Sequence, residues 1–391
     1  MIGLSVEERR ARLVVRHRLA SVCKARDAVD ATRSMVALHS TDAATVYLSA
    51  WARTENFTPG DLDDALYEER ALVRILGMRR TLFVVPRELV PVVYAACTRT
   101  IAARERKRLE QFIVESGITT RPGPWLARAS NSALETLDDL GEASTTELVA
   151  AVPLLAQRLR LGVGTRFEAS QSAGSRILRQ LAAEGLVVRT RPRGSWTNGQ
   201  YRWRLMEAWL RGPIEELDVA PAQAELLGRW LLAFGPATET DLRWWTGWTA
   251  RETRAALAAV PHVDVDLDGA SGFLHADDVD SVEPPPSETA FLPTLDPTTM
   301  GWKERDWYLG AHGPTLFDRN GNAGPTVWWE GRVVGGWAQR ADGEIAYRLL
   351  ERVGSDAGAA IEREAERLQE WLGDVRCRPG FLPPFQRALG K

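Results

Sequence analysis

The chain has 391 residues, 45% of them hydrophobic and 26% charged, with a formal net charge of −3. It is too long for one ordinary core and too apolar to be disordered, so two to four packed units are expected. The three cysteines (Cys23, Cys97, Cys377) are too scattered for a CxxC site or a disulfide framework, no apolar run reaches the roughly 18 residues of a spanning helix, and no apolar stretch follows a basic start. Disulfide scaffolds, zinc ribbons and membrane spans are thereby excluded, and a cytoplasmic protein without metal or cofactor is expected.

The small net charge hides a polarised chain. Ten Lys or Arg stand between Arg70 and Arg108 against Glu88 and Glu105, and eight Arg between Ser170 and Gly212 against Glu184 and Glu207. Residues 260–302 carry nine acids and no Lys or Arg. One face of such a protein attracts an anion, and phosphate backbone is the obvious one; solvated helix faces are the plain alternative.

In chain order, AVDATRSMVALHS (28–40), AATVYLSAWAR (43–53) and PGDLDDALYEER (59–70) read as three short helices. ALVRILGMRRTLFVVP (71–86) reads as a hairpin broken at Gly77-Met78. Helix, helix, helix, hairpin is the order of a winged helix. After the linker TTRPGPW (119–125) the same order recurs. Ser144 can cap a helix with Glu147 three residues on, SAGSRILRQLAAEGLVVRT (172–190) is a helix running into a strand, and Asn198-Gly199 sits where a tight hairpin turns.

A third round starts near Ala222. One helix ends at Gly235-Pro236, Thr238 caps the next with Asp241 three on, TARETRAALAAV (249–260) is the third, and HVDVDLDGASGFLHADDV (262–279) turns at Asp268-Gly269. Residues 284–350 show strand alternation between Asn-Gly, Glu-Gly and Asp-Gly turns, a small antiparallel sheet or barrel. AGAAIEREAERLQEWLG (357–373) is an amphipathic closing helix and FLPPF (381–385) an extended tail. The fold class is therefore α+β and multidomain: winged helices at 1–118, 119–212 and 213–283, then a β-rich unit at 284–391, with an internal repeat of architecture.

A winged helix reads DNA with its third helix while flanking elements meet phosphates. In the second unit Arg176 and Arg179 share a face of that helix, and Arg189, Arg191, Arg193, Arg202 and Arg204 decorate the wing. Arg79 and Arg80 sit at the first hairpin turn. Trp196, Tyr201 and Trp203 interleave with these arginines, as cross-strand packing or as stacking platforms. The turn Arg319, Asn320, Asn322 either serves the backbone alone or probes a minor groove. Of five scattered histidines only His39 lies in a polar cluster, His39-Ser40-Thr41-Asp42, inside an apolar helical hairpin. Thr41 or Asp42 there would equally be an ordinary N-cap.

LHSTDAATVYLSAWAR, ALVRILGMRRTLFVVP, FLPTLDPTTMGWKERDWYLG and LFDRNGNAGPTVWWEGRVVGGW together resemble the winged-helix DNA glycosylases typified by AlkZ and YcaQ, over nearly the whole chain. The resemblance implies three winged helices curving around duplex DNA and removal of alkylated or crosslinked guanines. It also implies a catalytic Gln-x-Gln or Gln-x-Asp motif on the first unit, matched here by His39, Ser40 and Thr41. An N7-alkylated purine is already a cationic leaving group, so a held water suffices. Neutral His39 would take its proton, with Thr41 as a hydrogen-bond partner and Asp42 supplying charge. The expected protein is a monomeric, nucleoid-associated, monofunctional glycosylase on damaged duplex DNA, with His39 partly exposed and hydrogen-bonded to Thr41 or Asp42. Its rate should rise through a pKa near 6.5. The alternative is a non-catalytic DNA-binding regulator or lesion-binding protector.

Overall fold

In the computed structural model, which describes residues 2–162, 164, 165, 168–380 and 382–391, three helix-rich modules each carry a small sheet, and a four-stranded sheet closes the chain. The chain opens with β1 (Ile2–Gly3) and α1 (Val6–Arg16), then α2 (Ala28–Ser34), β2 (Leu38–His39), α3 (Ala43–Trp51), α4 (Pro59–Asp63), β3 (Leu72–Gly77) and β4 (Thr81–Pro86). Residues 28–40 are not one helix. Val36 takes a positive φ of 61°, which a helix cannot accommodate, and the chain then runs extended so that Leu38 and His39 pair with Val84 and Phe83. The three strands lie in the order β2-β4-β3. Thr58 and Asp61 form a capping box at α4.

The second module begins earlier than position 119. Helix α5 (Arg99–Glu115) buries Leu109 and Ile113 in its core, together with α6 (Pro122–Leu140). Then follow β5 (Ala143–Ser144), α7 (Thr145–Ala151), a hairpin of β6 (Arg158–Leu161) and β7 (Ala169–Ser172), α8 (Ala173–Ala183), β8 (Val187–Pro192) and β9 (Tyr201–Leu205). The β6–β7 hairpin is an insertion before the third helix that the sequence pattern did not reveal. Nor is the wing closed by an Asn-Gly turn. Gly194 takes the positive φ, Arg193 N–H bonds to the Gln200 carbonyl, and the loop between them delivers Trp196 to a nest where its ring lies 4.8 Å from Tyr47 and 5.7 Å from Trp371. Trp196 is thus a clasp between modules, and its ring is committed to packing.

The third module, α9 (Val219–Phe234), α10 (Glu239–Thr246), α11 (Ala250–Ala258), β10 (His262–Leu267) and β11 (Ala270–His275), follows the sequence pattern closely. Thr238 and Asp241 form the capping box, and Asp268 and Gly269 both take positive φ at the turn. Strand β1 joins this sheet, parallel to β10, so the N-terminus belongs with the third module by pairing although it is first in sequence.

The C-terminal unit is an open antiparallel sheet, not a barrel: β12 (Thr289–Leu292), β13 (Thr326–Trp329), β14 (Arg332–Gln339) and β15 (Ile345–Leu349) pair in sequence order. Helix α12 (Ser355–Leu372) closes it. The tail, expected to be extended, forms α13 (Pro384–Leu389), where Pro384 at the first helical position presets φ; Phe381 lies outside the described residues.

One continuous apolar core runs through the first module, the third module and the C-terminal unit, whereas the second module has its own. At the seam between α3 and the C-terminal unit, Arg53 and Asp296 are both fully buried and joined at 2.7 Å, with Ser49 and Thr298 completing the network. No helix among the described residues is long and apolar enough to cross a membrane.

Candidate functional site

Where the first and second modules meet, a groove of about 540 Å³ opens. Its walls come from Thr41, β3, the β3–β4 turn, α5, α8 and β8, and they carry seven arginines, Arg74, Arg79, Arg80, Arg108, Arg176, Arg179 and Arg189, against a single acid, Glu105. Glu105 pairs with Arg80 at 2.8 Å. The other six form no ion pair among the described residues, so the groove holds a large uncompensated positive charge in a partly desolvated setting. Burial lowers the pKa of Arg79 to about 10, with the neighbouring Arg305 adding to it, and burial with Arg74 and Arg179 does the same for Arg189, yet both stay charged at neutral pH.

Strand geometry sorts the predicted arginines. Side chains alternate across a pleat, so Arg189 shares a face with its cross-strand partner Trp203, while Arg202 and Arg204 point to the opposite face. Arg202 is ion-paired there with Glu142 and Glu147, and Arg204 does not line the groove. Arg191 is held by Asp63 at 2.7 Å and Glu68 at 3.0 Å, and Arg193 is exposed in the wing loop. Of the arginines the sequence placed on the third helix and wing, Arg191 and Arg202 therefore do not line the groove with Arg176 and Arg179. Alternation takes Arg202 to the other face, and carboxylate partners on other elements hold both. Arg319 and Asn320 are exposed and Asn322 half-buried in a turn built on Asp318, whose carboxylate accepts from Asn320 N–H and from both Asn322 N–H and Nδ2; none of the three lines the groove.

Arg179→Ala should thus weaken duplex binding about tenfold, the size of one lost charge-assisted contact, while Arg191→Ala stays within about twofold, as fluorescence anisotropy would measure.

The polar motif threads along the groove's edge. Thr41 is exposed and lines it. Ser40 is buried, its N–H bonded to the Leu82 carbonyl and its Oγ accepting from Arg74 Nε at 2.7 Å. Asp42 caps α3 by accepting from Ala44 N–H and also accepts from Gly380 N–H, so the ordinary capping role belongs to it. His39 is only 4% exposed, its ring 4.9 Å from that of Phe83. It bonds neither Thr41 nor Asp42, against expectation: strand β2, not a helix seam, carries it, and its ring packs beside Phe83. Its Nδ1 is enclosed without a hydrogen-bond partner. Burial, helped by Arg79, lowers its pKa to about 3.

His17, fully buried between Thr298 Oγ1 and the Ala233 carbonyl, is likewise held well below its ordinary value by burial. Both histidines are neutral when folded and chargeable when unfolded, so the unfolded state binds the extra protons below its own pKa. Stability should be intact above about pH 6.5 and fall as pH drops below it, the His39 contribution being lost down to about pH 3, measurable in denaturant titrations.

Sequence reading missed Arg74, Arg108 and Phe112. Arg74 lies in an apolar strand; the signal available was a charge in an otherwise apolar run, LVRILG. Among the described residues no group of His, Cys, Asp and Glu is arranged to hold a metal.

Comparison with known proteins agrees with this architecture. The DNA glycosylase AlkZ of Streptomyces sahachiroi superimposes with a TM-score of 0.72 at 18% identity, over 93% of this chain and 98% of that one. A comparison with curated protein sequences returns no match. The model of the AlkZ-like DNA glycosylase family matches residues 32–371, and the chain belongs to that family.

Proposed function

We propose that this DNA glycosylase hydrolyses the N-glycosidic bond of N7- or N3-alkylated purines in duplex DNA, acting as a monomer on the nucleoid. The reading is carried by one observation: six arginines that form no ion pair among the described residues converge on a groove whose edge is Thr41, two residues from His39. Arg79, Arg80, Arg176, Arg179 and Arg189 would meet phosphates, and the lesion nucleotide would lie against the motif. An alkylated purine leaves as a neutral base, so the protein need only hold a water against the anomeric carbon and accept its proton.

His39 suits that task in one respect. The depressed pKa keeps it neutral, so no imidazolium opposes the oxocarbenium-like charge. Its unpartnered Nδ1 has no competing bond inside the protein. Thr41 would share the water, and Asp42 would fix the start of α3 on which both depend.

The test is release of 7-methylguanine from methylated duplex, by single-turnover assay, beside His39→Ala. Release by the wild type alone supports the reading. The burial of His39 favours a second reading, in which the groove binds damaged duplex without cleaving it; retained affinity with no release by either protein would select that one.

A further inference from the structure

Two arginines from different modules approach one ring at the groove. Arg74, on β3, carries its guanidinium carbon 4.4 Å from the centroid of Tyr201, and Arg189, on β8, lies 5.8 Å from the same centroid and 5.2 Å from that of Trp203. Arg74 is 3% exposed. Its Nε donates to Ser40, its Nη1 to the Tyr67 hydroxyl at 3.2 Å, and its Nη2 is enclosed with no partner. Arg189 makes neither a hydrogen bond nor an ion pair among the described residues, and the two guanidinium groups lower each other's fit to a dry site because their charges are alike.

The protein supplies carboxylates to two of its other buried arginines, while buried Arg9 has only the Trp307 ring. Arg53 has Asp296, and Arg12 has Glu8. At Arg74 and Arg189 it supplies only aromatic faces and hydroxyls, which offset part of the lost hydration but leave the charges unneutralised. The Arg189 guanidinium, which lines the groove and has no partner for its N–H donors among the described residues, offers the fork that suits a tetrahedral oxyanion, with the charge of Arg74 behind it.

We propose that Arg74 and Arg189 form the seat of one phosphodiester of the bound DNA strand, at the junction of the first and second modules. The inference rests on the groove being the DNA-binding surface. Because Arg74 also holds Ser40, a phosphate seated there ties the register of the strand to the backbone between His39 and Thr41. Arg74 is accordingly a positioning residue, and Arg189 the direct contact.

A methylphosphonate scan tests this. The duplex carries one tetrahydrofuran abasic analogue, which fixes the register, and each neighbouring phosphate is replaced in turn by the neutral methylphosphonate. For the full-length wild type, one position should weaken binding about tenfold, and in Arg189→Gln the same replacement should matter by less than about twofold. The salt slope of Arg189→Gln should fall by about 0.9. Arg74→Lys, which keeps the charge but loses the fork, should blunt the same position, and Arg189→Gln keeps the test decisive where a change at Arg74 prevents folding. An unchanged scan profile in Arg189→Gln overturns the seat. Stabilisation of the wild type but not of Arg189→Gln by inorganic phosphate alone, with that unchanged profile, assigns the site to free phosphate and overturns the DNA assignment. Absence of any duplex binding by the wild type removes the DNA-binding reading itself, a distinct outcome.

Discussion

His39→Ala should lower the single-turnover rate of base release at least about a hundredfold, the lower end of what a positioned base supplies, while duplex affinity stays within about twofold. The affinity should survive because the proposed phosphate contacts come from arginines on other elements and His39 is not among the groove-lining residues. His39→Gln, which keeps a hydrogen-bonding group at the water, should retain more activity than the alanine variant. The pH profile is the sharper readout. A free histidine would give a rate rising through pH 6.5, but burial and Arg79 hold this one near 3, so the neutral, working form is complete across the physiological range. The rate should therefore be flat from about pH 5 to 8. A rise centred near 6.5 would assign the proton to another group, and equal rates for wild type and His39→Ala would remove the residue from the mechanism.

The largest expected effect on stability lies at Arg53 and Asp296. Replacing Asp296 by Ala should cost about 3–5 kcal/mol, because it strands a fully buried guanidinium without its counter-charge. Arg53 N–H groups bond both Asp296 oxygens and Thr298, and Ser49 also donates to Asp296, so losing the carboxylate disrupts the whole buried network. Arg53→Met with Asp296→Leu should lose less than either single change, since it removes both desolvated charges at once. Urea denaturation of the three proteins decides it. A double variant as unstable as the singles combined would mean that packing, not charge, makes this seam. The seam fixes α3, whose N-cap is Asp42, against the C-terminal unit.

Much of the architecture was legible in the sequence because it is local. Capping boxes at Thr238 and Ser144, the Asp268-Gly269 turn and the break after Gly77 are determined by backbone chemistry within four residues, and they fell where the pattern put them. The breakdowns have causes distant in sequence. Residues 28–40 carry an apolar spacing that suits a helix, but edge pairing of Leu38 and His39 with β4 wins, and only a partner strand distant in sequence can supply that pairing. Charge blocks likewise announced a basic face without saying which arginines form it. Pleating and the carboxylates of Asp63, Glu68, Glu142 and Glu147 removed Arg191 and Arg202, while folding brought in Arg74 and Arg108.

What the sequence determined by itself is therefore the order of modules, their turns and caps, and the presence of an anion-seeking surface. Tertiary structure alone decided that β1 pairs with the third module, that Trp196 clasps rather than stacks on a base, and that His39 is enclosed and neutral. The physical reason is range. Propensity, capping and turn geometry act over a few residues, whereas desolvation and ion pairing depend on which distant side chains arrive at the same place.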